Sequence, residues 1–337
     1  MASSSSPPPQ VLPAEEILHI CQETTQNLAH ILSIIPSELL SLIMSTIPKS
    51  EIKVVKGLEA SYARWRVSRV VRDILMSKDW ASIMGAGKFQ GFCESCWAFA
   101  TAELVSAVLY LKRKDTNYTE YSVQELMDRA DRSRIEKNGR KGHFCYRYSI
   151  RRGLEYVLKN GLQRAVDCPY NRCRQESQIP PRALYGLAHI DGIDKLSLSQ
   201  ALLRLEEQPI GASLFIFMPD YVDTKEGVYR GPMTNRSCYK AMHGVSVVSV
   251  VEENGEKVWK VRLNHGSMAG HQGYLKVSME VMLVRVPTEG SQSDGKFDKP
   301  SMLLTDFGWR RISGDEVEKI NGGGHEVRWS NLSFYYV

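Results

Sequence analysis

The chain has almost no surplus of charge: 43 lysines and arginines against 38 aspartates and glutamates leave a formal +5 over 337 residues. That excess is too small to mark a nucleic-acid binder. Arg129, Arg132, Arg134, Lys137, Arg140, Lys141, Arg147, Arg151 and Arg152 do gather in one stretch. Without interleaved aromatics or a nucleic-acid motif, the stretch reads as a solvated surface. Cysteines are few and odd in number: Cys21, Cys93, Cys96, Cys145, Cys168, Cys173 and Cys238. They lack the spacing of a disulfide framework, and Cys168 and Cys173 with His143 do not complete a four-ligand zinc site. Long apolar runs are missing as well. The best of them, Asn27 to Ile47, carries Pro36 and Glu38 at its centre and reads as two amphipathic helices rather than a membrane span. Met1 to Gln10 is rich in serine and proline, with neither the charged nor the apolar region of a secretory signal. The expectation is therefore cytoplasm or nucleus, unless a leader precedes Met1. The sequons at Asn117, Asn235 and Asn331 carry no weight there, because glycosylation requires secretion. No glycine-rich phosphate loop accompanies Asp306-Phe307-Gly308, so those three letters do not make a kinase.

What the sequence does contain is a folded core, with 43% hydrophobic residues, and one chemically pointed segment. Gln90-Gly91-Phe92-Cys93-Glu94-Ser95-Cys96-Trp97-Ala98-Phe99-Ala100 leads from a glycine-containing turn into an apolar run. Ser95 is a favoured N-cap, and Ala100, Leu104, Ala107, Val108 and Leu111 recur at helical spacing. Cys96 is thereby expected in the first turn, where backbone N–H groups and the helix dipole lower a thiol pKa from about 8.5. A buried structural cysteine would have the same local sequence. The remaining need is a base, and His243 opens a β-branched run, Gly244 to Val250, that reads as a buried strand.

Cys93-Glu94-Ser95-Cys96-Trp97 resembles the Cys-Gly-Ser/Ala-Cys-Trp/Tyr signature around the nucleophile of papain and cathepsin enzymes. His243 lies in the window, about 130 to 150 residues downstream, where that family carries its histidine. Met242-His243-Gly244-Val245 resembles the family's Asn-His-Gly-Val. Gln90, six residues before Cys96, stands where the family has its oxyanion-hole glutamine. Asp79-Trp80, Tyr121 to Asp128, Gly227-Val228-Tyr229 and Gln272 to Val277 extend the resemblance over residues 77 to 286.

The resemblance implies an α+β, papain-like two-lobed fold with the cleft between a helical and a strand-rich lobe. It also implies a thiol endopeptidase acting on a peptide or protein substrate. Cys96 would attack, His243 would hold the imidazolium of an ion pair, and Gln90 would steady the oxyanion. No cofactor or metal, no nucleic acid and no membrane belongs to this reading. Aligned without gaps, Trp259 to Gly266 puts Leu263 at the family's orienting asparagine and Asn264 one place later. A one-residue displacement along a strand reverses the facing, so Asn264 serves only if a bulge re-aims it. His265 stands at the family's shielding tryptophan. Gly139 to His143 corresponds to the glycine loop that pairs with substrate, with a bulky His143 in it. Cys93 matches a half-cystine whose partner position is Arg140, which leaves Cys145 as a substitute partner.

Three parts are expected. Residues 1–76 are a Ser/Pro tip, a helical segment and a basic segment around Arg64 to Arg72, resembling a pro-segment only in position. Residues 77–286 are the peptidase domain, and 287–337 are a linker and tail. The alternative is a catalytically weakened papain-fold protein that binds peptides or partners without turnover, favoured by Leu263, His143 and the missing disulfide partners.

Overall fold

A computed structural model describes residues 52–58, 60–66, 77–85, 87–139, 144–173, 179–266, 270–286 and 295–311. The organising element is helix α1, Cys96–Leu111. The spacing of its apolar residues predicts a single buried face, but every residue from Trp97 to Leu109 is buried. A helix apolar on all sides has to be covered on all sides. Here α2 (Val123–Arg129) and α4 (Ile150–Asn160) pack on it from one lobe, and strands β4 (Ile210–Met218) and β6 (Cys238–Glu253) from the other. α3 (Arg132–Gly139) follows α2 directly.

Local signals fix these helices. Ser122 and Ser149 cap α2 and α4 by accepting the backbone N–H of Glu125 and Arg152. Ser197 and Gln200 form a reciprocal capping box on α5, Leu198–Leu205. Ser95 departs from expectation. It precedes α1, but its Oγ turns to the Cys93 carbonyl and the Tyr170 hydroxyl, and no side-chain cap forms.

The strand-rich lobe holds a seven-stranded sheet in the order β3-β11-β4-β6-β7-β8-β5, antiparallel except for β5 with β8. Its remaining strands are β3 (Gly192–Lys195), β5 (Val228–Tyr229), β7 (Glu256–Arg262), β8 (Tyr274–Ser278) and β11 (Leu304–Arg311). A second sheet orders β1 (Lys53–Lys56), β2 (Ser61–Arg66), β9 (Val281–Val286) and β10 (Ser301–Met302). Among the described residues two large apolar clusters result, with a small third one of Met84, Ala107 and Val248. One gathers Trp97, Phe99, Leu126 and Leu154 in the helical lobe; the other gathers Ile210, Val247, Trp259, Leu263 and Met282 in the strand lobe.

Segments that the sequence places outside residues 77–286 help to build that second lobe. Arg64 lies in β2, which runs antiparallel to β9 from Ser61↔Val286 to Arg66↔Val281, and Tyr62 and Trp65 enter the core. From the tail, β11 inserts between β3 and β4. β2 is buried on both faces from Ser61 to Trp65, so Tyr62 and Trp65, three residues apart, each meet apolar neighbours on opposite sides of the sheet, and Phe307 packs on Trp259 at 5.3 Å between centroids. Residues 27–47, 287–294 of the linker and the tail from 312 to 337 lie outside the described residues.

Candidate active site

Helix α1 delivers Cys96 at its first residue, and β6 delivers His243 across from it. The approach is close because Gly244 has no side chain. A Cβ there would stand 3.3 Å from the Trp97 backbone and 3.4 Å from the Cys96 carbonyl carbon. In that gap the Gly244 N–H points at Cys96 Sγ, 3.4 Å away. Gln90 joins them because the chain at 88–90 pairs with the chain at 264–266: Gln90 N–H donates to the Asn264 carbonyl at 2.9 Å, and Gly266 N–H to the Lys88 carbonyl at 2.9 Å. Gln90 Nε2 donates to the Cys93 carbonyl at 2.8 Å. An amide NH₂ carries two protons, so one fixes the side chain and the second stays available for an oxyanion.

Gln90, Cys96, His243 and Gly244 line one cleft of about 140 Å³, together with Glu94, Arg147, Tyr148 and Ser213. Glu94 and Arg147 form an ion pair there at 2.6 Å. Cys93 and Cys145 are joined by a disulfide, the substitute pairing that the sequence left open. Cys173 carries a free thiol, and residues 140–143 of the glycine-loop counterpart are outside the described residues.

Burial sets the protonation of the pair. The Cys96 thiol is pushed up, not down, because desolvation outweighs the N–H groups of Gly244 and Trp97 that favour thiolate. His243 is held well below the ordinary imidazole range by the same burial, with His265 adding to it. Both shifts oppose the thiolate–imidazolium pair expected from the helix N-terminus. Both directions favour a protonated sulfur beside a neutral ring.

Asn264 makes no hydrogen bond to His243. Its Nδ2 donates to the Cys96 carbonyl at 3.5 Å, and neither its Oδ1 nor His243 Nε2 has a hydrogen-bond partner. The register explains this. Ser246↔Arg262 and Val247↔Val261 pair without a bulge on the approach to the site, so alternation carries Asn264 to the opposite face from Leu263. Leu263 is fully buried in the strand-lobe core. Instead His265 meets the His243 ring, stacked on it at 4.4 Å and 24°. His265 Nδ1 is hydrogen-bonded to the Tyr221 hydroxyl at 2.8 Å. His265 was legible only as a departure from the family's tryptophan, and nothing in the sequence signals Tyr221.

A cysteine at a helix start, a strand histidine beside it and an amide donor, set in a cleft between a helical and a strand lobe, define the two-lobed thiol-protease class. The chain belongs to the papain family of cysteine proteases, whose family model matches residues 75–291. Protein HEAT-INDUCED TAS1 TARGET 4 of Arabidopsis thaliana is 28% identical over 251 residues, covering 64% of this chain and 86% of that protein. Papaya proteinase 4 of Carica papaya is 27% identical over 219 residues, covering 63% of this chain but 58% of the papaya protein. The proform of the ragweed pollen allergen Amb a 11, a cysteine protease, shares the fold with a TM-score of 0.51 and 22% identity, over 69% of this chain and 64% of that one.

Proposed function

We propose that the protein is a cysteine-type peptidase working from a neutral resting pair. The carrying observation is that Cys96, His243 and Gln90 line one cleft. In this reading the neutral His243 imidazole takes the Cys96 proton as sulfur attacks a peptide carbonyl. A C–S bond forms, and the carbonyl oxygen becomes an oxyanion facing the second proton of Gln90 Nε2 and the Cys96 N–H. His243 then gives its proton to the departing amine as the C–N bond breaks. Water, deprotonated by the same ring, releases the acid and restores the thiol.

A neutral pair reaches this transition state more slowly than a preformed ion pair, because the imidazolium appears only during reaction and its Nε2 has no buried acceptor. That orphaned atom, with Leu263 in the asparagine's place, favours a second reading: a papain-fold protein that holds peptides or protein partners in the cleft without turnover.

Alkylation of Cys96 by iodoacetamide across pH, followed by peptide mapping, separates the two. If His243 serves Cys96 as a base from a neutral pair, His243→Ala slows labelling at pH about 7, with no excess over a free thiol of pKa about 8.5 expected at pH about 6. A rate that rises only near the free-thiol value and ignores His243→Ala would leave the binding reading. Cys96→Ser should abolish peptide hydrolysis under the first reading and leave partner binding intact under the second.

A further inference from the structure

We propose that Tyr221 and His265 form a positioning brace that fixes the ring plane of His243 in place of the side chain displaced by Leu263, an inference that rests on the peptidase reading above. The brace is built in steps. Tyr229 is fully buried, and its hydroxyl accepts the Phe217 N–H at 2.8 Å and donates to the Phe215 carbonyl at 2.9 Å. Tyr221, on the short helix α6 (Asp220–Asp223), packs edge-on against Tyr229 with centroids 6.0 Å apart at 89°. From that seat its hydroxyl reaches His265 Nδ1. His265 is pinned on its backbone as well, through a bridge to Phe89.

The register then sets the ring against its target. Continuing the β6–β7 pairing beyond Ser246↔Arg262 places His243 opposite His265 on one face of the strands. Directly opposite residues are the closest cross-strand neighbours, and the two rings stack at 4.4 Å. His243 is also edge-on to Tyr221 itself, at 6.5 Å and 61°. The catalytic ring is therefore bounded by two aromatic groups that are hydrogen-bonded to each other.

The hydrogen bond has a second consequence. Burial disfavours the charged form of His265, and its Nδ1 shares a hydrogen bond with the Tyr221 hydroxyl whose direction follows the tautomer. A neutral plate lets His243 become imidazolium without a like charge stacked on it, whereas a protonated His265 would lower the His243 pKa further. The titratable groups around His243 are Cys96 from α1, Tyr221 from α6 and His265 beyond β7. Glu94 and Arg147 in the same cleft neutralise each other.

The test is Cys96 alkylation by iodoacetamide in the full chain, with peptide mapping, at pH about 5.5 and 7.5. His265→Ala should lower the His243-dependent rate by about tenfold to a hundredfold, the scale of a misplaced catalytic group. His265→Phe keeps a flat plate and should recover the rate to within about threefold, a rescue that general destabilisation would not give. Tyr221→Phe removes the hydrogen bond to His265 Nδ1 and should lower the His243-dependent rate at both pH values, by less than His265→Ala does. If His243→Ala slows labelling while His265→Ala and Tyr221→Phe do not, the brace is wrong and the peptidase reading stands. Equal losses in His265→Ala and His265→Phe would also overturn it, since the plate would then not be what matters. Labelling that ignores His243→Ala removes the peptidase reading and the brace together.

Discussion

Leu263→Asn should make the protein less stable and more active, and both magnitudes can be worked from the site. Extending the β6–β7 register puts Leu263 opposite Val245, diagonal to His243 and on its face. Leu263 is fully buried, so losing its branched end costs about 2–5 kcal/mol. The amide that replaces it can accept from His243 Nε2, which has no partner. A hydrogen bond to a neutral ring is worth about 1 kcal/mol, and one to an imidazolium about 1.5–3 kcal/mol. The charged form appears only in the transition state, so the difference of about 0.5–2 kcal/mol falls on the barrier: about twofold to thirtyfold in kcat/KM, less whatever the Tyr221–His265 brace already supplies. The assay is hydrolysis of a fluorogenic peptide at a temperature where the variant is folded, with denaturant unfolding of both proteins alongside. A stable, folded Leu263→Asn whose kcat/KM is unchanged or lower would refute the idea that an unstabilised imidazolium limits turnover.

Other perturbations probe the frame around this pair. Gly244→Ala would force a Cβ to 3.3 Å from the Trp97 backbone; spreading β6 from α1 should cost about 1–3 kcal/mol in denaturant unfolding and depress turnover more than binding. Glu103 and Arg262 form an ion pair at 3.1 Å with both side chains 1% exposed. Glu103→Ala leaves a buried guanidinium and should destabilise by about 3–5 kcal/mol, whereas the double change Glu103→Leu with Arg262→Met should recover most of that loss. Cys145→Ser opens a disulfide spanning 52 residues, which the chain-entropy relation values at about 4 kcal/mol, read as a lower thermal midpoint. A closed Cys93–Cys145 bond in protein taken directly from cells would also overturn the expectation of cytoplasm or nucleus, where thiols are kept reduced. His243 stays neutral in the folded state while unfolded chains protonate near pH 6.5. Stability should therefore be fully present above that pH and fall below it, by up to about 1.4 kcal/mol per pH unit for this one ring, a slope that His243→Phe should flatten.

Short-range signals carried further than long-range ones. Cys96 at a helix start, His243 at the head of a strand and Gln90 in register with Cys96 are local patterns, and the structure brings all three into one cleft. The displacement of Asn264 was also legible, because strand alternation is strict once Trp259 and Tyr274 fix the register. The direction of the Cys96 shift was not. A helix N-terminus lowers a thiol pKa only where water or charge can support the anion, and how fully the second lobe covers Cys96 depends on Gly244, 148 residues away. Residues 53–66 and 304–311 were assigned to flanking segments because nothing in a short apolar stretch names its partner strand; β9 and β4 supply the edges they fill.

The buried side chains around the pair suggest why its chemistry departs from the family pattern while its frame does not. An asparagine at position 263 would sit in the strand-lobe core among Val261, Val245 and Leu275, where an amide is costly unless its hydrogen bond to His243 is always made. Leucine removes that requirement and fills the core, and the imidazole loses the acceptor that would stabilise its charge. On the peptidase reading, stability and catalytic power are thus exchanged at one residue, in the direction that functional sites usually show in reverse. A brace that holds the ring by stacking rather than by an acceptor is compatible with a leucine there, because it needs nothing from the core. The arrangement retains orientation without charge stabilisation, which is the condition under which a neutral thiol and a neutral imidazole can remain poised side by side.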